Sequence, residues 1–280
     1  MSKNVLVAPI VKWVGGKRQL LKSLKPLLPK RLSTYTYCEP FVGGGALVFD
    51  LQPQNVSLND INAELMNVYR IVRDDVEYLI AALQEFKNDS DFFYQVRDWD
   101  RDKDIYNKLS GVQKAARSIY LNKTCYNGLF RVNNAGEFNS PFGNYRNPNI
   151  VNAPILRAVS SYLRQANVTL STNHYATILE TLPKKSFVYL DPPYDPISVT
   201  SNFTGYSREG FNREEQIRLR GCCDRMNEKG IKFMLSNSAT DFIKEQYSAY
   251  NICIVQAKRN INSDANKRGD VPELVVRNYE

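Results

Sequence analysis

The segment Phe187-Val188-Tyr189-Leu190-Asp191-Pro192-Pro193-Tyr194 constrains this fold more than any other stretch of the chain. Its four leading apolar residues read as a buried strand. Pro192 and Pro193 have no N–H to give a sheet ladder, so the strand stops there. Asp191 and Tyr194 then stand at a strand's carboxyl end. In open α/β sheets that is where ligands bind.

The surrounding sequence alternates strands with helices. Residues 35–51, "YTYCEPFVGGGALVFDL", read as a strand through about Cys38, a glycine turn, and a helix from Ala46. "NVSLND" is a second strand ending in Asp60, and "NVTLST" a third, followed by a short helix at 176–182. "INAELMNVYRIV", "DVEYLIAALQEF" and "SGVQKAARSIYL" have helical spacing. Asn212 reads as an N-cap and Gly230 as a stop for another helix. "IKFMLSNS" is a strand, "TDFIKEQYSAY" a helix, and "ICIVQAKR" with "ELVVRNY" pair as a terminal hairpin. The expected class is α/β with a mostly parallel, doubly wound sheet. From Asp60 to Asp191 the chain advances 131 residues. Two β-α units need about 60 at ~30 each, so some 70 are surplus. The surplus predicts an inserted, mainly helical subdomain at 65–165, with 1–64 and 166–280 forming the sheet domain.

Composition narrows the function. The net charge of +8 over 280 residues fits a polyanionic partner such as nucleic acid. Between Ile105 and Ile150 the cations are Lys108, Lys114, Arg117, Lys123, Arg131 and Arg146, against Glu137 alone. That stretch is also rich in Tyr, Phe and Asn, as a phosphate-holding and base-reading surface requires. Segment 258–270 is a second basic loop. Five cysteines without a C-x-x-C pair argue against a disulfide framework and for a reducing cytoplasm. His174 is the only histidine, so no metal is expected; it reads as a cap or packing residue, and Cys222-Cys223 as helix residues. No apolar run approaches the roughly 20 residues that span a bilayer, and the N-terminus lacks a signal-peptide pattern.

Three motifs carry chemistry. In "EPFVGGGA", Gly43, Gly44 and Gly45 allow positive φ and close approach to a ligand, although the spacing is not G-x-G-x-x-G. Asp60, at the tip of the next strand, can accept hydrogen bonds from ribose hydroxyls. In "KWVGGKRQL", Lys17 is followed by Arg18, which breaks the phosphate-loop frame. Trp13 can instead stack on a planar group and Lys17 can reach a carboxylate or phosphate. The third motif is the Asp191 corner. An exocyclic amine such as adenine N6 is a poor nucleophile because its lone pair is delocalised. Asp191 and the Pro192 carbonyl can each accept one of its N–H bonds, favouring a pyramidal nitrogen, while Pro193 stiffens the corner and Tyr194 offers a stacking face. If a sulfonium methyl donor sits over the glycine turn, in-line methyl transfer then follows from positioning. Methylation at cytosine C5 would need a cysteine nucleophile, usually in a Pro-Cys dipeptide, and none occurs.

The motifs "KWVGGKRQLL", "EPFVGGGALVFDL", "LNDINAEL", "YNGLFRVNNAGEFNSPFGNY", "YLDPPYDP", "FTGYSREGF" and "MLSNS" run in order over nearly the whole chain. With them the chain resembles the Dam-type DNA adenine-N6 methyltransferases. The resemblance implies a Rossmann-like methyltransferase fold, S-adenosyl-L-methionine as methyl donor, and double-stranded DNA with a flipped adenine as substrate. Trp13, Lys17, Asp60 and Asp191 match cofactor contacts, with Phe41 and Gly43–Gly45 lining the same pocket. Asp191, Pro192, Pro193 and Tyr194 match the catalytic corner. Arg131 would read a guanine, where a guanidinium donates two hydrogen bonds to O6 and N7. By the same resemblance Asn127 would face the target-base region, Leu129 would make an apolar contact, Tyr145 would wedge into the opened duplex, and Lys12 would lie near a contact for an outer base. Pro141 and Arg146 complete the DNA-facing set. These matches suggest GATC as target and a monomer or weak dimer on DNA. The alternatives keep the fold but act on cytosine N4, RNA or a protein amide, or else discard catalysis for DNA binding alone. The polar loop from Asp195 to Gly210, without an apolar anchor before Phe203, is expected to order when the base enters.

Overall fold

The protein is described by a computed structural model over residues 3–197, 211–258 and 270–280. The expectations for the loop ending at Gly210 and for the basic segment 258–270 fall almost wholly outside these described residues. In chain order, α1 (Leu21–Leu24) and β1 (Thr36–Glu39) precede α2 (Ala46–Leu51) and β2 (Asn55–Asn59). Five helices follow without a strand between them: α3 (Ala63–Asp74), α4 (Val76–Gln84), α5 (Ser90–Arg97), α6 (Lys103–Lys108) and α7 (Gly111–Thr124). After these come α8 (Ala153–Gln165), β3 (Asn167–Ser171), α9 (Tyr175–Thr181) and β4 (Ser186–Leu190). The remainder is α10 (Arg213–Glu228), β5 (Lys232–Ser238), α11 (Asp241–Gln246), β6 (Asn251–Lys258) and β7 (Asp270–Arg277).

The strands form one sheet in the order β3-β2-β1-β4-β5-β7-β6. β1 runs parallel to β2 and β4, and β4 parallel to β5; β7 and β6 are added antiparallel. This is the mostly parallel α/β sheet with a terminal hairpin that the alternation predicted. All five residues of β4 are buried, as a central strand covered on both faces requires.

By internal contacts the chain divides into two compact units: residues 1–16, 43–54 and 60–172, and residues 17–42, 55–59 and 173–280. In the second unit, one sheet face contributes Cys38, Val188, Leu190, Phe233, Leu235, Leu274 and Val276 to a core closed by Leu179, Leu219, Cys222, Cys223 and Ile243. Alternate residues point the other way, where Phe187 meets the rings of Tyr37 and Tyr279. Cys222 and Cys223 are thus buried helix residues, and His174 is the α9 N-cap, accepting from the Ala176 N–H at 3.3 Å. The α10 boundaries also match: the Asn212 side chain accepts from the Glu215 N–H, and Gly230 has φ +72°.

The first unit is a helical body. Its rings Phe86, Phe92, Phe93 and Tyr120 interlock between α4, α5 and α7. α7 opens with a capping box, Ser110 with Gln113. α5, α6 and α8 were not individually legible in the sequence. The first two are short, so their apolar periodicity covers barely two turns. Among the described residues no helix is long and apolar enough to cross a membrane.

Candidate functional site

β4 delivers its residues as its prolines require. Asp191 follows the buried strand with a side chain still 20% exposed, and the buried Lys17 ammonium lies 2.9 Å from its Oδ1. That ammonium sits 4.6 Å from the Tyr194 ring centroid. Tyr194 Oη donates to Glu273 Oε2 at 2.7 Å, from β7. Burial pushes the Asp191 carboxyl up from the usual carboxylate range, Lys17 opposes that, and Glu273 adds to it. Tyr194 is raised well above an ordinary phenol, chiefly by burial and then by Asp191 and Glu273, so it stays neutral.

The two proline carbonyls differ. Pro193 O accepts from Gln216 Nε2 at 2.8 Å. No donor to Pro192 O occurs among the described residues. Beyond them Asp195 is buried and fixes the corner's exit. Its carboxylate accepts from Thr240 Oγ1 at 2.8 Å and pairs with Arg213, and its backbone binds Asn237 and Ser238 side chains. Phe41, near the end of β1, packs on Tyr175 and Phe211, at 5.0 and 5.6 Å between centroids.

The glycine turn belongs to the first unit and follows Val42 in the chain. Asp60 organises it: Oδ2 accepts from the Gly43 N–H at 3.0 Å and Oδ1 from the Asn62 N–H at 2.9 Å. Tyr69 Oη donates to the Gly43 carbonyl at 2.7 Å. Gly43 and Gly45 adopt φ +49° and +68°. A Cβ on Gly43 would lie 2.8 Å from Trp13 Cδ1, so the indole occupies the space that a side chain would take. Trp13 in turn stacks on Phe130, 5.1 Å between centroids. Burial raises the Asp60 carboxyl, against the two N–H donors that favour its charged form.

The motif "YNGLFRVNNAGEFNSPFGNY" forms an irregular hairpin behind α7. Its arms meet at two isolated bridges, Cys125–Phe142 and Val132–Phe138, with a tip where Asn133 Oδ1 takes the Ala135 and Glu137 N–H groups. Four predicted DNA-facing residues converge here. Asn127 N–H donates to Tyr145 Oη at 2.9 Å, and Lys12 Nζ lies 5.8 Å from the Tyr145 ring. Asn122 brackets the Lys12 backbone and reaches Gly128 O, next to Leu129. Leu129 O accepts from the Ser140 hydroxyl at 2.5 Å, and Pro141 O from the Tyr126 N–H. Arg131, Pro141 and Arg146 are exposed, and Arg131 Nη2 donates to Asn139 O at 2.9 Å.

One expected phosphate-holding residue is corrected. Arg117 is fully buried, so it cannot meet a phosphate. It pairs with Asp100 Oδ2 at 2.7 Å and donates to the Val96 and Arg97 carbonyls. Two contacts were missed from sequence. Glu273 holds the Tyr194 hydroxyl, and Asp100 with Arg101 binds the hairpin backbone at Phe138. The run Asp98-Trp99-Asp100-Arg101 reads as a solvated charge cluster, and nothing in its spacing says that one carboxylate turns inward. Among the described residues no group of three or more His, Cys, Asp or Glu could hold a metal.

Residues 13–261 match the family described as D12 class N6 adenine-specific DNA methyltransferase. The type II methyltransferase M1.LlaDCHI of Lactococcus lactis subsp. cremoris is 40% identical, over 100% of this chain and 98% of its own length. The type II methyltransferase M.MjaIII of Methanocaldococcus jannaschii is 41% identical, covering 98% and 99%. The DNA adenine methylase of Escherichia coli K12 is 34% identical, covering 99% and 96%.

Proposed function

Because the chain belongs to the D12 class of N6 adenine-specific DNA methyltransferases, we propose that it performs this reaction at the Asp191 corner, with S-adenosyl-L-methionine as donor. The observation that carries the reading is the pairing of two acceptors at the end of β4. One is the part-exposed Asp191 carboxylate and the other the Pro192 carbonyl, which no described residue engages. An adenine amino group that enters gives one N–H to each. Its lone pair is then turned away from the ring, toward the donor. Transfer would form the N6–methyl bond as the donor's methyl–sulfur bond breaks and a neutral thioether leaves, and Asp191 would then take one proton from the cationic nitrogen. Lys17 favours the ionised form of Asp191, the form that accepts.

The residues present fit the donor. S-adenosyl-L-methionine, when bound, supplies an electrophilic methyl group on a sulfonium. Asp60 is anchored by two backbone N–H groups and still has lone pairs for ribose hydroxyls. Gly43, Gly44 and Gly45 hold a backbone without side chains, with Trp13 beside it. Lys17 suits the donor's carboxylate, and Phe41 is read as a further donor contact.

Residues 65–165 are the target-recognition part and 1–64 with 166–280 the catalytic part in this reading. The reading is supported by the contacts that gather Lys12, Asn127, Leu129 and Tyr145 and by the exposure of Arg131, Pro141 and Arg146. The proposed target is GATC in double-stranded DNA, bound by a monomer or weak dimer. The test is base-resolved sequencing of methylated DNA from a methylation-free host that expresses the chain, beside Asp191→Ala. N6-methyladenine in GATC is expected for the parent and none for the variant, which keeps DNA binding in a gel shift. Methylation on cytosine N4 would refute the adenine assignment, and methylation undiminished in the variant would refute the corner.

A further inference from the structure

We infer that Asp100 and Arg101 are specificity-positioning residues that set the base choice exerted through Arg131. The inference rests on the reading of Arg131 as a base contact. Asp100 Oδ2 accepts from the Phe138 N–H at 2.7 Å, and Arg101 Nη2 donates to the Phe138 carbonyl at 2.7 Å. A carboxylate and a guanidinium thus take both main-chain groups of one hairpin residue, as a neighbouring strand would. Charge-assisted bonds of this kind are shorter and stronger than neutral ladder bonds. Arg101 also pairs with Asp100 Oδ1 at 2.7 Å and with Glu137 at 3.3 Å.

The clamp is fixed from behind. Asp100 is 4% exposed and held by the fully buried Arg117, which is itself tied to the carbonyls that end α5. It is also connected forward to the reading side chain. Asn139 follows Phe138, its N–H donates to Arg131 O at 2.7 Å, and its carbonyl accepts Arg131 Nη2. A shift at Phe138 therefore displaces the acceptor that orients the guanidinium. The hairpin's own backbone bonds flank Phe138, from Asn133 N–H to Glu137 O and from Asn139 N–H to Arg131 O, while the N–H and C=O of Phe138 itself are held by the clamp. A bidentate base contact tolerates small misplacement poorly, since both hydrogen bonds weaken steeply off line.

The experiment uses the full chain and a duplex library with every base pair of the preferred site varied in turn. kcat/KM is read for each duplex with Arg101→Met, Arg101→Lys, Glu137→Gln and Arg131→Ala. Arg101→Met should lose about 10-fold of its discrimination at the one base pair where Arg131→Ala loses it, within the range a bidentate contact supplies. Discrimination at the other pairs should hold. Arg101→Lys, which keeps the pairing with Asp100, should recover part of the loss. Glu137→Gln loosens the same clamp from the surface and should give a smaller loss at the same pair. A uniform fall in kcat/KM on every duplex, or unchanged discrimination in both Arg101→Met and Glu137→Gln, overturns the clamp. Unchanged base choice in Arg131→Ala overturns the assignment of Arg131 and the inference with it.

Discussion

Lys17 and Asp191 face each other at 2.9 Å, and their charges decide what the corner can accept. Burial alone disfavours a carboxylate, and the raised Asp191 carboxyl shows that this cost dominates even with the ammonium present. The sign for stability follows. A carboxyl raised in the folded state favours the fold most below its unfolded pKa, and that contribution is lost as pH rises through the folded value. For catalysis the direction is opposite, because the ionised form accepts the amino proton. Lys17→Met removes the opposing charge, so Asp191 climbs further. The acid limb of kcat, measured with donor and DNA both saturating, should move to higher pH. An acid limb that stays in place or moves lower would remove Asp191 as the proton acceptor. Tyr194 is fixed between Lys17 and Glu273, which suits a rigid wall.

Among elements, α7 carries the most. Its capping box starts it, its buried face closes the helical unit, and the hairpin of residues 126–145 leaves its end. Arg117 lies in its middle and joins α7 to the end of α5 through Asp100, Val96 and Arg97. Removing one partner of a buried pair costs about 3–5 kcal/mol where the other charge is left unpaired, and Asp100, which keeps Arg101, sets the loss at the lower end of that range. Arg117→Met should therefore lower unfolding stability in a denaturant titration by that order. An exposed phosphate contact would barely change it, so the measurement separates the two roles. Ile105–Ile150 accordingly presents one exposed cation fewer than its sequence suggests.

Across the whole molecule, the net charge of +8 and the exposed cations of the hairpin predict DNA affinity that falls linearly in log–log form with salt. Each phosphate contact contributes about −0.9 to that slope. Arg146→Ala should flatten the slope by about one such step and weaken all sequences alike. A slope unchanged by Arg146→Ala would place that residue off the backbone. Arg131→Ala should differ by acting on one base pair.

What the sequence determined by itself was local and periodic. The Pro192-Pro193 stop, the Gly43–Gly45 turn, the Asn212 cap and the alternation of strands and helices depend on each residue's own backbone and burial preferences. Those preferences were enough for the sheet class and for the residues that form the corner. Tertiary structure decided which charges turn inward. Arg117 and Arg146 are equally basic in a one-dimensional count, yet one is sealed against Asp100 and the other is exposed. Glu273 lies 79 positions beyond Tyr194, and Asp100 lies 38 before Phe138. No periodicity reports such partners, because a long-range polar contact is selected by packing geometry and by the desolvation of its two ends.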